Sequence, residues 1–219
     1  MVKREGTYTT SVGSQSIDLP LVRIADDLAI ALLITVDLGV GFTARASGEL
    51  AERLADLQVE IVASVATMGI PLAIEVSRAL GIDDYLIFQK TPKIHLADAI
   101  TEPVKSITTG RSQTLLFDRA RVPAASGRRV ALVDDVISTG ASVKAALSLL
   151  RGVGAIPVAV GALLTEAQAW RSTLGRDADL VRSLGAIPLF RYRDGALFED
   201  WEGNAGEVGA AQLAIPTDG

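Results

Sequence analysis

Several short, nearly unbroken apolar runs mark the middle of the chain. They are Glu60-Ile61-Val62-Ala63-Ser64-Val65, Tyr85-Leu86-Ile87-Phe88-Gln89, Val130-Ala131-Leu132-Val133 and residues 156–164. A strand buried on both faces needs such runs, because neither face can be polar. Between them lie segments with helical spacing. Residues 71–80 carry a proline early and Gly81 just past the end, the usual helix punctuation. Residues 142–151 form a second such segment. Upstream, Leu50, Leu54 and Leu57 recur at i, i+4 and i+7, with Ser47 as the expected cap and Glu49 in the first turn. Residues 114–117 and 187–190 read as further strands, 25–33 and 180–184 as helices, and 123–127 as a turn. The first twenty residues read as irregular apart from a short strand over 7–10. Strand–helix alternation of this kind predicts an α/β fold, an open, mainly parallel twisted sheet flanked by helices.

Two stretches fall outside that rhythm. Residues 91–112 are polar and carry Pro92 and Pro103, so they predict a long exposed loop, a length that in compact domains usually signals function. Residues 199–219 are rich in Gly and Ala and predict a loosely ordered tail. Gly39-Val40-Gly41-Phe42-Thr43-Ala44 fits G-x-G-x-x-A, but no strand–turn–helix unit surrounds it and it reads as a loop.

Composition narrows the chemistry. The chain has no cysteine and a single histidine, His95, which removes disulfides, thiol nucleophiles and cysteine-based zinc sites. The net charge of −5 argues against a broad footprint for duplex nucleic acid. The longest apolar run, residues 28–36, is far short of the roughly 20 residues a membrane span requires. The first residues lack the apolar stretch of a secretory signal, so the expectation is a soluble cytoplasmic protein with no membrane partner.

The informative segment is Val130-Ala131-Leu132-Val133-Asp134-Asp135-Val136-Ile137-Ser138-Thr139-Gly140-Ala141-Ser142. A buried strand ends in two carboxylates, and a hydroxyl-rich loop then enters a helix. Ligands of open parallel sheets bind outside the carboxyl ends of strands. A helix N-terminus presents free N–H groups and partial positive charge, a ready anion site. Ser138, Thr139 and Ser142 add hydroxyl donors, and Gly140 lets backbone approach a phosphate. The two carboxylates repel phosphate but accept hydrogen bonds from sugar hydroxyls or hold hydrated Mg²⁺. The combination points to a sugar phosphate.

That thirteen-residue pattern resembles the 5-phosphoribosyl-1-pyrophosphate (PRPP) loop of the type I phosphoribosyltransferases, and matches it completely. The resemblance implies that Asp134 and Asp135 contact the ribose hydroxyls, with Mg²⁺ held through water, and that Ser138 to Ser142 hold the 5′-phosphate. Val65-Ala66-Thr67-Met68-Gly69-Ile70-Pro71 resembles the pyrophosphate turn of purine-specific members, especially the archaeal-type hypoxanthine/guanine enzymes. Relatives usually carry glutamate where Ala66 stands, and some adenine enzymes carry a basic residue where Met68 stands. Lys90-Thr91-Pro92-Lys93 resembles the basic strand end of adenine enzymes, which places Lys90 and Lys93 against pyrophosphate. Residues 94–111 occupy the place of the family's catalytic lid. There Lys105 and Arg111 are the candidates for transition-state charge contacts and Glu102 for a carboxylate near the base.

The implied organisation is one domain over residues 1–198. Its core covers about 45–165, and a small hood subdomain draws on about 1–25 and 165–198. The implied reaction joins a purine base to PRPP, with adenine slightly favoured over hypoxanthine or guanine, by a homodimer using Mg²⁺. Two alternatives stand beside it: a PRPP- or nucleotide-sensing regulator on the same fold, and an enzyme for a non-purine acceptor such as orotate or uracil. Trp170 and Trp201 are expected to serve packing.

Overall fold

The computed structural model describes residues 4–96, 98–104 and 113–205. Its centre is a five-stranded, wholly parallel sheet in the order β10-β9-β8-β4-β5. These strands are β4 (Ile61–Val65), β5 (Tyr85–Phe88), β8 (Arg129–Ile137), β9 (Ile156–Glu166) and β10 (Val181–Ile187). All five residues of β4 are buried, as its unbroken apolar run requires.

Helices cover both faces. On β8, Val130 and Leu132 pack toward α4 (Ala141–Gly152), among Val143, Ala146, Leu147 and Leu150. Ala131 and Val133 point the other way, toward α1 (Gly39–Glu52) and α2 (Gly69–Leu80), among Phe42, Ala46, Leu50, Leu72 and Val76. The period-2 alternation of a strand thus feeds two separate cores. α2 ends where Gly81 adopts φ 71°, and Ile82 N–H then donates to the Ser77 carbonyl at 2.9 Å.

A second, antiparallel sheet of five strands has the order β1-β2-β3-β11-β12. It is built from both regions flanking the parallel unit: β1 (Arg4–Val12), β2 (Gln15–Ala25), β3 (Leu28–Ala31), β11 (Leu189–Arg193) and β12 (Ala196–Asp200). It docks on the edge of the parallel sheet. Gly13 N–H donates to the Leu184 carbonyl at 3.2 Å, and Ser14 N–H to Glu49 on α1 at 2.8 Å. A two-stranded ribbon, β6 (Ile100–Val104) with β7 (Gln113–Phe117), lies beyond β5 and packs on α4. Two shorter helices complete the fold, α3 (Val122–Ala125) and α5 (Ala169–Leu174).

Several local expectations are corrected. Residues 4–25 form a long hairpin and not an irregular segment. Residues 28–31 are a strand and 181–187 are β10, where helices were expected. In both places short apolar stretches without clear periodicity pair in sheets, and pairing partners decide between helix and strand. Residues 123–127 include most of the one-turn helix α3. The loop expected at Gly39 to Ala44 is the first turns of α1. There the unfavourable propensity of Gly39 and Gly41 is overridden by burial of Phe42, Ala46 and Leu50 at i, i+4 and i+8. Ser47 therefore caps nothing. It is fully buried in mid-helix with its hydroxyl unpaired. No helix among the described residues is long and apolar enough to cross a membrane.

Candidate active site

The carboxyl ends of β4, β5 and β8 meet at one cleft of about 250 Å³, lined by Ala66, Thr67, Met68, Lys90 and the unbroken stretch from Asp134 to Ser142. β8 runs on to Ile137, past the apolar run that ends at Val133, so Asp134 and Asp135 are strand residues at the mouth of the sheet. Asp135 N–H donates to Asp134 Oδ1 at 3.1 Å. Burial pushes the Asp134 carboxyl well above the ordinary carboxylate range, and the neighbouring Asp135 carboxylate pushes it further. The charge of Lys90 pulls the other way.

The loop that follows turns at Gly140, whose φ of 77° is a left-handed conformation open to glycine. A Cβ there would stand 3.2 Å from Cα and Cβ of Trp170. Trp170 is buried, and its indole N–H donates to the Ala167 carbonyl at 3.1 Å, so it is a packing residue that backs the loop. α4 begins at once, and its first residues, Ala141 to Val143, line the cleft. Ala141 N–H reaches Thr139 Oγ1 at 3.4 Å.

The second wall is the turn from β4 into α2. Ser64 Oγ donates to the Val133 carbonyl at 2.7 Å and ties β4 to β8 just below the acids. Gly69 opens α2 with no space for a side chain: a Cβ would lie 2.0 Å from Ser64 Oγ and 3.3 Å from Asp134 Oδ1. The peptide between Ala66 and Thr67 is cis. Ala66 N–H donates to the Phe88 carbonyl at 2.9 Å, and the Gln89–Leu116 bridge fixes the end of β5, from which Lys90 enters the cleft.

The structure thus gathers Thr67, Met68, Lys90 and Asp134 to Ser142 around one space, with Gly69 buried behind them. It does not bring Lys93 there; that side chain is exposed beyond the lining. Glu102 lies on β6 in a neighbouring cleft with Lys144, Ser148, Ser172 and Thr173. Lys105 and Arg111 lie outside the described residues.

One buried carboxyl beside the Asp134–Ser142 loop escaped sequence reasoning. Glu166 ends β9, is 6% exposed, and accepts a hydrogen bond of 2.5 Å from Ser138 Oγ. Burial raises its carboxyl above the ordinary range, against the lowering effect of the Ser138 bond. The signal was the one that revealed Asp134, an acid closing an apolar parallel strand.

As to a metal, no cluster of three or more His, Cys, Asp or Glu forms among the described residues. The adjacent Asp134 and Asp135 carboxylates in an open cleft fit a hard, hydrated cation such as Mg²⁺ that keeps most of its water.

With this geometry in place, comparison with known proteins is decisive for the family. The phosphoribosyl transferase domain matches residues 43–179. The chain belongs to that family. Among curated relatives, the orotate phosphoribosyltransferase of Caldanaerobacter subterraneus is 29% identical over 118 residues, 54% of this chain and 50% of the relative. The xanthine phosphoribosyltransferase of Laribacter hongkongensis is 28% identical over 142 residues, 64% of this chain and 74% of the relative. The hypoxanthine/guanine phosphoribosyltransferase of Methanosarcina acetivorans is 34% identical over 102 residues, 47% of this chain and 50% of the relative. The chain therefore spans about half the length of two of these relatives. Among solved structures, the adenine phosphoribosyltransferase of Rhodothermus marinus superposes with a TM-score of 0.60 at 19% identity, over 84% of this chain and 95% of that one. That likeness shows the fold.

Proposed function

We propose that the protein transfers the 5-phosphoribosyl group of PRPP to a purine base, giving a nucleoside monophosphate and pyrophosphate. The observation that carries this reading is the joining of Asp134 to Ser142 with Thr67, Met68 and Lys90 around one cleft. Asp134 and Asp135 accept hydrogen bonds from the ribose 2′- and 3′-hydroxyls. The N–H groups at the start of α4, with the Thr139 and Ser142 hydroxyls, hold the 5′-phosphate. The turn at Thr67 and Met68 offers backbone donors to pyrophosphate, and Lys90 supplies its one cationic side chain among the cleft-lining residues. Asp134 and Asp135 would hold hydrated Mg²⁺, which would supply positive charge against the pyrophosphate.

Breaking the bond to C1′ leaves an oxocarbenium-like sugar. The chain's task is to hold both ends of PRPP while charge moves onto pyrophosphate, and preorganised donors supply most such barrier lowering. Ala66 and Met68 leave this task to backbone donors and Lys90. The xanthine and hypoxanthine/guanine relatives support a purine acceptor. They weigh toward the 6-oxopurines against adenine, and the orotate relative makes the pyrimidine the alternative to exclude. A homodimer, expected from the family resemblance, is part of this reading and is checked by light scattering.

The test is pyrophosphate release from PRPP and Mg²⁺ with adenine, hypoxanthine, guanine, xanthine, orotate and uracil in turn. Turnover with one purine and none with the pyrimidines is expected. Turnover with orotate alone overturns the purine assignment. PRPP binding without turnover on any base turns the reading toward a sensor.

A further inference from the structure

Glu166 has no role in the chemistry above, yet it sits directly behind the phosphate loop. Its 2.5 Å bond uses the single proton of the Ser138 hydroxyl. A serine hydroxyl donates once. While Ser138 donates to Glu166, it offers an arriving phosphate only lone pairs. The phosphate also brings negative charge to within one side chain of a buried carboxylate, where like charges are costly.

Among the described residues, none but Ser138 balances the charge of Glu166. Across β10 it pairs with Ile187, and the next residue, Ala167, packs in an apolar cluster with Ala25, Leu28 and Leu189. The charged residues on the adjoining elements are engaged elsewhere. Asp134 and Asp135 on β8 line the cleft. Arg171 on α5 is held by Gln168 and lies over the Trp170 ring. Arg182 on β10 donates to the Asp179 and Val181 carbonyls, Arg191 on β11 pairs with Asp27 and Asp200, and Asp177 pairs with Arg151. Ser138 is the one hydrogen-bond partner of the Glu166 side chain found among the described residues.

We propose that Glu166 takes up one proton when a phosphate occupies the Ser138–Ser142 loop, freeing the Ser138 hydroxyl to donate to that phosphate. The proton comes from solvent. The new carboxyl O–H donates to Ser138 Oγ, and the Ser138 O–H turns from Glu166 to a phosphate oxygen. Each oxygen in the chain then has a donor facing an acceptor. Glu166 is a positioning residue that acts through Ser138. Burial, which disfavours the ionised carboxylate in the free protein, lowers the cost of that uptake. The inference rests on the reading that this loop holds the 5′-phosphate of PRPP.

The sign follows directly. If binding takes up a proton, affinity falls as pH rises through the window between the free and bound titrations, by up to about tenfold per pH unit. Calorimetry of PRPP with Mg²⁺, in buffers of different ionisation enthalpy, counts the protons. Wild type is expected to take up as much as one proton more per PRPP than Glu166→Gln, whose amide needs none. The variant's affinity is expected to exceed that of wild type progressively as pH rises. The difference between the two proteins cancels titration of the 5′-phosphate and of Asp134. Ser138→Ala gives an independent check. Without the bond that favours ionised Glu166, its titration in the free protein shifts upward, so the pH window of uptake shifts upward there too. Equal proton counts and parallel pH profiles in wild type and both variants overturn the proposal while leaving the PRPP site intact. Failure of wild type to bind PRPP overturns the proposal and the site assignment together.

Discussion

The two sheets solve different problems. The central strands of the parallel sheet are buried on both faces, with Val62, Ala63, Ala131, Leu132 and Val160 fully inaccessible, and the β8 acids stand past its apolar run. The antiparallel sheet buries one face. β2 begins with strict alternation of half-buried and exposed positions, and its aromatic contact, Tyr8 against Phe190, has ring centroids 5.1 Å apart. In the first sheet, strand order and register fix where Asp134, Asp135 and Ser138 stand, to within the tolerance of a packed core. In the second, the exposed face is free to vary without disturbing the phosphate cradle. The comparison teaches why we place the phosphoribosyl part of the substrate at the parallel sheet. The antiparallel sheet, beside Ala167 and Leu189, is where we place the choice of base.

The largest effect that sharpens the contrast is at the strand-end acids. Replacing Asp134 and Asp135 together by Asn is expected to lower kcat/KM by at least about 100-fold, the scale of losing preorganised electrostatic contacts. Stability should move the opposite way. The folded protein holds a proton on Asp134 more tightly than the unfolded chain does. That contribution is complete below the ordinary carboxylate range and is lost as pH rises through the raised value. Asp134→Asn alone should therefore melt higher than wild type at neutral and alkaline pH, with the difference vanishing in acid. A lower melting temperature at all pH values would contradict the buried, repelled carboxyl.

Next comes the backbone of the cradle. Gly69→Ala places a methyl 2.0 Å from Ser64 Oγ and must displace the bond to Val133. A cost of about 1–3 kcal/mol in denaturant unfolding is expected, the usual range for overpacking, together with weaker PRPP binding. A smaller effect separates the sheets. Tyr8→Leu removes the edge-to-face contact with Phe190 at about 1 kcal/mol. PRPP affinity should stay within about twofold, well under the tenfold that 1.4 kcal/mol would bring, while KM for the base shifts. If PRPP affinity falls tenfold, the division of labour between the sheets is wrong. Smallest is the surface pair Arg151–Asp177, with N–O distances of 2.6 and 2.8 Å and side chains 47% and 25% exposed. Arg151→Ala should cost at most about 1 kcal/mol, less in high salt, with kinetics unchanged.

The same contrast explains what the sequence disclosed. Val130 to Ser142 was legible from end to end, because a strand buried on both faces must be an apolar run and its acids can stand only past the core. Thr67 and Lys90 stand at the ends of two similar runs, and their place in the site came from the family resemblance. The antiparallel sheet was mostly illegible. The stretch from Leu28 to Ala31 lacks clean alternation, and its partner β11 lies some 160 residues away in sequence. Glu166 was passed over because Gln168 and Ala169 follow it without the glycine and hydroxyls that mark a phosphate loop; only the fold brings it to Ser138.

The central claim is a place for a phosphate, and it is tested most directly by diffraction from crystals soaked with a nucleoside 5′-monophosphate. The account predicts phosphate density within hydrogen-bond distance of the backbone N–H groups from Gly140 to Ser142, with the ribose hydroxyls facing Asp134 and Asp135. Density confined to the neighbouring cleft at Glu102 and Lys144, with the Gly140 loop empty, would contradict it.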